Sequence, residues 1–314
     1  MTPKPTYANA ISRRDFSKLG ILAAAGTMTS TALAYEASDD WIDAHVHVWT
    51  DDIAKYPLAE GFSVPDMKPS SFTPEELFQH TSPAGVARIV LIQMSFYKYD
   101  NSYMLDTIER FPQKFSGVGI VDYHSPDVAR DMIQLKERGV RGFRIATRGA
   151  KTDTWLSDPG MESLWKTATR EKLAVCPLIN PADLPYIEQL CQKFKETTVV
   201  IDHFARVGMG GVKPEDLESL CQLARFPNVY VKTSAFYAVG GELPYDSALP
   251  LLRRVIDTFG PQRLMWASDC PFQVQPPHSY EPSIAVIRDR LVGLSRDDRD
   301  WLLRRTAEKV FFSV

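Results

Sequence analysis

The sequence predicts an α/β protein built as a single closed (β/α)8 barrel, the TIM-barrel class. Eight short runs rich in β-forming residues alternate with segments that carry helix start signals, and no sharp linker divides the chain. Strands joined by one helix each must pair in parallel, because such a crossover cannot form a hairpin, and eight such units indicate a barrel. The predicted strands are Ile42 to Val46, Arg88 to Gln93, Phe115 to Val121, Val140 to Ile145, Ala174 to Ile179, Thr198 to Ile201, Val229 to Thr233 and Leu264 to Ala267.

An open, doubly wound sheet is the alternative fold. It would place a glycine-rich phosphate-binding turn after the first strand, where this chain has His47, Val48 and Trp49. The length of 314 residues suits one large barrel or two ordinary domains, so length alone does not decide. With 44% apolar residues, 24% charged residues and a net charge of -3, the chain is typical of globular proteins, and no nucleic-acid partner is implied.

The first 34 residues have the pattern of a twin-arginine (Tat) export signal. Arg13 and Arg14 precede a short apolar run over 19–25, and Ala32 and Ala34 supply the small residues that a signal peptidase needs. The apolar run is too short for a permanent membrane span. We therefore predict a signal peptide at residues 1–34, a barrel domain at residues 35–314 and a periplasmic location.

Helix starts can be read between the strands. Thr73 can cap a helix whose first turn holds Pro74 and whose third position, Glu76, completes a capping box. Similar starts are predicted at Ser125 and at Lys213, each followed by proline. These signals place one helix after each of several strands, as the barrel requires.

His45 and His47 are the most informative residues of the chain. Side chains two residues apart on a strand point to the same face, so both imidazoles lie on one side of the first strand. In a closed barrel they would face the interior near the carboxyl end of the strand, where active sites of this fold are built. A hydrogen-bonded pair on an edge strand is the alternative for an isolated His-x-His.

Other polar residues follow the ends of predicted strands and would meet His45 and His47 at the same mouth of the barrel. His203 follows strand six and Asp269 follows strand eight. Arg144 ends strand four, although the alternation alone does not choose between Arg141 and Arg144. Further candidates at the mouth are Gln93, Ser95, His124, Arg148 and Gln273.

Together these residues resemble the amidohydrolase-related family, and within it the lactonases similar to 2-pyrone-4,6-dicarboxylate lactonase and the sulfomuconolactone hydrolases. The resemblance covers nearly the whole chain after residue 34. It implies a TIM barrel that hydrolyses lactones or amides, with some decarboxylases among the members. The segments that carry it are Ile42 to His47, Gly139 to Arg144, Val199 to His203 and Arg263 to Pro271.

The sequence alone does not decide whether the site binds a metal ion. His45, His47, His203 and Asp269 form a set that one Zn²⁺ could accept. Metal-binding members of the wider superfamily add a histidine or a carboxylated lysine near strands four and five, and Ala174 to Asn180 contains neither. The resemblance to the dicarboxylate lactonase lineage implies catalysis without metal, with the same residues acting through hydrogen bonds.

The roles follow from what lactone hydrolysis requires: an activated water, a stabilised oxyanion and a held substrate. Asp269 is the predicted general base, and His45, His47 and His203 polarise the carbonyl directly or through zinc. Arg144 is the predicted substrate-binding residue, since a guanidinium binds carboxylate or sulfonate in bidentate fashion. Arg148, Ser95, Gln93 and His124 could add contacts.

We therefore expect an exported hydrolase that opens a small anionic lactone, of the sulfonated or carboxylated muconolactone type, in bacterial degradation of aromatic compounds. A metal-dependent non-oxidative decarboxylase and a sugar lactonase are the alternative enzymes, and a periplasmic binding protein without catalysis is a third class. A homodimer is consistent with the family resemblance.

Overall fold

A computed structural model describes residues 40–147 and 152–313, and it confirms the predicted barrel. Eight parallel strands form one sheet in which each strand pairs with the next along the chain. No predicted strand end differs from the observed one by more than two residues. The strands are β1 Trp41–Val46, β2 Val86–Ile92, β3 Phe115–Gly119, β4 Val140–Ala146, β5 Ala174–Leu178, β6 Thr198–Ile201, β7 Val229–Ser234 and β8 Leu264–Ala267.

Helices follow the strands and cover the outside of the barrel. The predicted capping box is present, since the Thr73 hydroxyl accepts from the Glu76 amide at 3.3 Å and Glu76 accepts from the Thr73 amide at 2.6 Å. The α-helices of the described residues are α1 Pro74–Thr81, α2 Ser102–Arg110, α3 Val128–Glu137, α4 Pro159–Glu171, α5 Leu184–Lys193, α6 Pro214–Gln222, α7 Phe236–Val239, α8 Leu249–Phe259, α9 Tyr280–Ala285, α10 Arg296–Asp300 and α11 Thr306–Phe311.

The barrel closes where the segment after β8 returns to β1. The Asp269 amide donates to the His45 carbonyl at 2.9 Å, and the His47 amide donates to the Cys270 carbonyl at 2.8 Å. Beside this seam the buried carboxylate of Asp43 accepts the Ser268 amide at 2.9 Å. Closure therefore fixes the residues after β8 directly against the histidine pair.

The core has two layers, one between barrel and helices and one inside the barrel. Ala307 and Phe311 of α11 belong to the inner cluster, so the last helix packs against the end of the barrel opposite the histidines. The four cysteines are buried and unpaired. Among the described residues no helix is both long and apolar enough to cross a membrane. The predicted signal peptide, residues 1–34, lies outside the described residues.

Candidate active site

Strand β1 carries both histidines into the barrel through a local irregularity. Its register with β2 shifts between Asp43 and Val46. Ala44 belongs to the inner cluster, and the imidazole of the next residue, His45, also contacts interior groups. A bulge of this kind re-aims side chains at the end of a strand. His45 and His47 therefore share one face, as the sequence predicts.

Three acceptor atoms converge at the carboxyl end of the barrel. Nε2 of His45 and Nε2 of His47 are 3.3 Å apart, and they lie 3.5 and 3.4 Å from Oδ1 of Asp269. That Oδ1 atom is buried and has no hydrogen-bond donor in the described part of the chain. Nε2 of His203 lies 3.7 Å from the other oxygen, Oδ2. The structure thus brings together all four predicted catalytic residues.

Each outer histidine nitrogen has a partner that orients the ring. Nδ1 of His47 lies 2.8 Å from the Ile92 carbonyl, so in a neutral ring the proton is on Nδ1 and Nε2 is free to accept. Nδ1 of His203 lies 2.8 Å from the Ser234 hydroxyl. The Tyr237 hydroxyl donates to Oδ2 of Asp269 at 2.7 Å. These contacts direct Nε2 of both rings toward Asp269.

A buried ion network lies beneath the histidines. Asp202 accepts from Arg144 Nη2 at 3.1 Å and pairs with Lys232 Nζ at 3.0 Å, and its Oδ1 is 3.3 Å from His45 Nδ1. Both Asp202 and Lys232 are completely buried. Burial alone would raise the pKa of Asp202, but Lys232, His45 and Arg144 hold it well below the ordinary value. Two cations and two carboxylates, Asp202 and Asp269, therefore share the interior.

The protonation states of the site follow from the same charges. Burial, and next the positive charge of Lys232, hold the pKa of His45 well below its ordinary value, and burial also lowers the pKa of His203. Burial would raise the pKa of Asp269, yet the neighbouring His203, His47 and His45 keep it below the ordinary range. Asp269 is thus a carboxylate at neutral pH, able to accept a proton.

Left-handed backbone positions His203 and Asp269. Four consecutive residues, His203 to Arg206, have φ between 49° and 59°, and Asp269 has φ of 68°. This conformation is unfavourable for residues other than glycine, and such positions concentrate at functional sites. The turn aims the His203 ring at Asp269 and brings Arg206 to the mouth.

The mouth opens into a cleft of about 550 Å³. Arg144, Arg206 and Asp269 are its charged lining residues, and Arg206 donates to the Asn180 side chain at 3.0 Å. Within the described ranges no carboxylate pairs with Arg206. Arg206 therefore offers the cleft a positive charge that is not paired with an acidic side chain of those ranges. The other lining residues are His47, Met94, Ser95, Ala146, Thr147, Leu178, Asn180, His203, Met209, Ala235, Tyr237, Ala238, Val239 and Phe272.

The other predicted candidates divide between the cleft and its surroundings. Ser95 lines the cleft. Gln93 is buried beside it and donates to the carbonyls of Lys98 and Asp100, and Gln273 donates to Tyr245 and Ser279, so both stabilise loops. His124 is exposed outside the cleft, 3.5 Å from Asp158. Arg141 donates to backbone carbonyls of Lys136 and Val140, which leaves Arg144 as the arginine of the cleft. Arg148 lies outside the described residues.

Sequence reasoning missed five residues of the site: Asp202, Arg206, Lys232, Ser234 and Tyr237. Lys232 could have been found from the sequence, because a lysine inside the apolar run over 229–234 needs a buried partner. Asp202 adjoins the predicted His203, and only the left-handed turn brings Arg206 back to the mouth. Tyr237 sits on the short helix α7, whose position follows from the fold alone.

The distances test whether a metal ion fits. A tetrahedral ion with bonds of about 2.0 to 2.1 Å places its ligands roughly 3.3 Å apart. The spacings among His45 Nε2, His47 Nε2 and Asp269 Oδ1 match this value, so these three residues could hold one divalent ion. Nε2 of His45, however, also lies 2.8 Å from Arg144 Nη2. The set fits a metal on the condition that Arg144 releases His45.

A parallel barrel that gathers three histidines and an aspartate at its carboxyl mouth belongs to a class of enzymes that activate a water or polarise a carbonyl. The model of the amidohydrolase family matches residues 42–312, and the chain belongs to this family.

Curated relatives and solved structures agree with this assignment. The chain is 30% identical to an L-fucono-1,5-lactonase of Burkholderia ambifaria, over 73% of this chain and 80% of that protein. It is 29% identical to a 4-sulfomuconolactone hydrolase of Hydrogenophaga intermedia, over 73% and 74% of the two chains. An amidohydrolase structure from Burkholderia multivorans with bound HEPES has the same fold, with a TM-score of 0.74, 21% identity and coverage of 88% of this chain and 100% of that one.

Proposed function

We propose that this protein is a lactone hydrolase that opens a small anionic lactone, of the sulfonated or carboxylated muconolactone type, in the degradation of aromatic compounds. The observation that carries this proposal is the buried Asp269 carboxylate, held among three histidines at a cleft that also exposes Arg206. The similarity to lactone hydrolases supports the reaction class.

The chemistry needs one base and a set of positive groups. Oδ1 of Asp269 receives no hydrogen bond from the described part of the chain, so it can accept a proton from a water that attacks the lactone carbonyl. The guanidinium of Arg144 faces the cleft and supplies N–H donors that stabilise the tetrahedral oxyanion. When the ring C–O bond breaks, Asp269 returns the proton to the leaving oxygen, which yields a hydroxy acid.

If Arg144 released His45, a divalent metal held by His45, His47 and Asp269 would supply a Lewis acid for the carbonyl and lower the pKa of a bound water. The roles of Tyr237 and Ser234 do not depend on it. Tyr237 fixes Oδ2 of Asp269, and Ser234 fixes the ring of His203.

Arg206 is the residue that we assign to the anionic substituent of the substrate. The Nη2 atom of Arg144, the arginine predicted for this role, is directed at Asp202 and His45. Among the described residues Arg206 has a neutral hydrogen-bond partner, Asn180, and no acidic one, and its guanidinium suits a carboxylate or sulfonate.

The first test is turnover of a lactone panel that sets sulfonated and carboxylated muconolactones beside neutral sugar lactones. We expect the anionic lactones to be hydrolysed with the higher kcat/KM. Asp269→Asn should reduce kcat by at least about a thousandfold, the range typical for loss of a main catalytic group, with an unchanged circular dichroism spectrum. A folded Asp269→Asn enzyme with near-normal turnover would disprove the assigned base.

The second test replaces Arg206 by glutamine. KM for anionic lactones should rise about 10- to 100-fold, as expected for loss of a charge-assisted contact worth roughly 1.5 to 3 kcal/mol, while KM for neutral lactones changes little. Arg254→Gln, a residue on α8 that pairs with Glu218, removes the same charge away from the cleft and controls for the global field. If Arg206→Gln raised KM equally for anionic and neutral lactones, the assignment of Arg206 to the anionic substituent would be wrong.

A sugar lactonase is the second candidate, favoured by the 30% identity to the L-fucono-1,5-lactonase. The same panel separates the two. Preference for neutral sugar lactones, with KM independent of Arg206, would replace the first proposal by this one.

We also propose that residues 1–34 direct export to the periplasm and that the mature protein forms a dimer. Replacing Arg13 and Arg14 by lysine should leave the full-length chain in the cytoplasm, which cell fractionation and N-terminal sequencing would detect. Light scattering of the mature protein reads the mass of the assembly, and a monomer would contradict the dimer.

A further inference from the structure

The contacts of His45 show which atoms can reach its ring nitrogens. A guanidinium has no acceptor, so Arg144 Nη2, 2.8 Å from Nε2, must donate into the lone pair of that nitrogen. The other ring nitrogen, Nδ1, lies 3.3 Å from Oδ1 of Asp202 and 3.2 Å from Nζ of Lys232. Two cations therefore face the ring of His45, and Arg144 already occupies its Nε2.

Arg144 is firmly held in this position. Its side chain is only 8% exposed, and its Nη2 also donates to Asp202 Oδ2 at 3.1 Å. Asp202 is fixed in turn by Lys232 Nζ at 3.0 Å. Moving Arg144 away would leave a buried carboxylate with one fewer cation, which is strongly unfavourable for a buried ion pair.

The other two acceptors remain open. Nε2 of His47 and Oδ1 of Asp269 have the spacing of metal ligands, and no described residue donates a hydrogen bond to Oδ1. A divalent ion would complete its set with His45 Nε2, the atom that Arg144 occupies, and would stand next to a second positive charge.

We propose that Arg144 and a divalent metal ion are mutually exclusive partners of His45. The guanidinium takes the place of the metal in the native chain, and its removal converts His45, His47 and Asp269 into a zinc site. This inference rests on the proposed function only in that it places these residues at the reacting centre. Its test measures metal binding and not lactone turnover.

The experiment titrates chelator-treated full-length protein with Zn²⁺ and with Co²⁺, whose visible absorption reports coordination by histidine and carboxylate. Wild type and Arg144→Gln are compared. Arg206→Gln is the matched control, since it removes a positive charge from the same cleft without touching His45. Arg144→Gln combined with His45→Asn removes the ligand that the first change releases.

We expect Arg144→Gln to bind one equivalent of either ion at least about tenfold more tightly than wild type and Arg206→Gln, the order of effect that neighbouring groups have on metal affinity. The gain should vanish in the double variant. If Arg144→Gln does not fold, Arg144→Lys serves instead, because it keeps a cation beside Asp202 but cannot hold both contacts of the planar guanidinium.

Three results would overturn the inference: one tightly bound equivalent in wild type, no gain on removing the guanidinium, or a gain that persists without His45. Lactone turnover measured on the same samples tests the proposed function separately. If wild type hydrolyses no lactone while Arg144→Gln shows the expected metal gain, the proposed function is rejected and the competition is kept.

Discussion

At the scale of single residues, Tyr237 shows how a group outside the predicted set can control the base. Its hydroxyl donates to Oδ2 of Asp269 at 2.7 Å, which leaves Oδ1 as the atom that faces His45 and His47. A hydrogen bond to the ionised form of a carboxylate lowers its pKa. Tyr237 is thus a positioning residue that also helps to keep Asp269 ionised.

Replacing Tyr237 by phenylalanine should therefore raise the pKa of Asp269. Since the base must be ionised to act, the acid limb of the kcat/KM profile should move to higher pH, and kcat should fall about tenfold, consistent with the loss of one bond to a charged group. Tyr245→Phe is the control, because the Tyr245 hydroxyl bonds to Gln273 instead of Asp269. An unmoved acid limb in Tyr237→Phe would contradict this role.

The sequence predicted the histidines and Asp269 because their placement needs only strand alternation and the rule that barrel sites lie at the carboxyl ends of strands. Asp202 and Lys232 could not be paired this way. Their contact joins β7 to the residue after β6 inside the barrel, and it depends on the depth of each side chain along the barrel axis. The sequence could not predict the partners of Arg144 for the same reason.

At the scale of elements, the left-handed turn from His203 to Arg206 has no simple sequence signal. The chain has no glycine between these positions, although each residue adopts a φ that favours glycine. The adjoining strand β6 was predicted to the residue because its apolar run is short and unambiguous. Helix α3 begins at Val128, two residues beyond the proline after Ser125, since local turn chemistry precedes the helix there.

Ala205 offers a direct measure of the strain in this turn. It is completely buried with φ of 54°, and Ala168 in helix α4 is equally buried. Ala168→Gly should destabilise the protein by about 2 kcal/mol, from lost helix propensity and a lost buried methyl group. Ala205→Gly should cost less than about 1 kcal/mol, because relief of left-handed strain offsets the lost methyl group.

Chemical denaturation of both variants measures this difference. Equal destabilisation by the two substitutions would show that the turn from His203 to Arg206 stores no strain.

At the scale of the whole molecule, the barrel pattern was predictable because each of its eight units repeats the same local signals. The closing seam was not, since it depends on the buried carboxylate of Asp43. Asp43 accepts the amides of Ser268 and His45 and, at 2.8 Å, the hydroxyl of Tyr280, so it joins β1 to the segment after β8 and to α9. These long-range contacts exist only when the barrel is closed.

Burial raises the pKa of Asp43 from 3.8 to about 6, against the opposing effect of its hydrogen bonds to Ser268 and Tyr280. Between these two pH values the folded state binds more protons at this site than the unfolded state, so the contribution of Asp43 to stability falls as pH rises through the window. Asp43→Asn removes that titration. Relative to wild type, the variant should therefore gain about 2 to 3 kcal/mol in free energy of unfolding between pH 4 and pH 7.5, by urea denaturation. Asp257→Asn, on the exposed face of α8, is the control for replacing a carboxylate by an amide. If the free energy of unfolding of wild type and of Asp43→Asn changed with pH in parallel, the carboxylate at the seam would be ionised at no cost to the closed barrel.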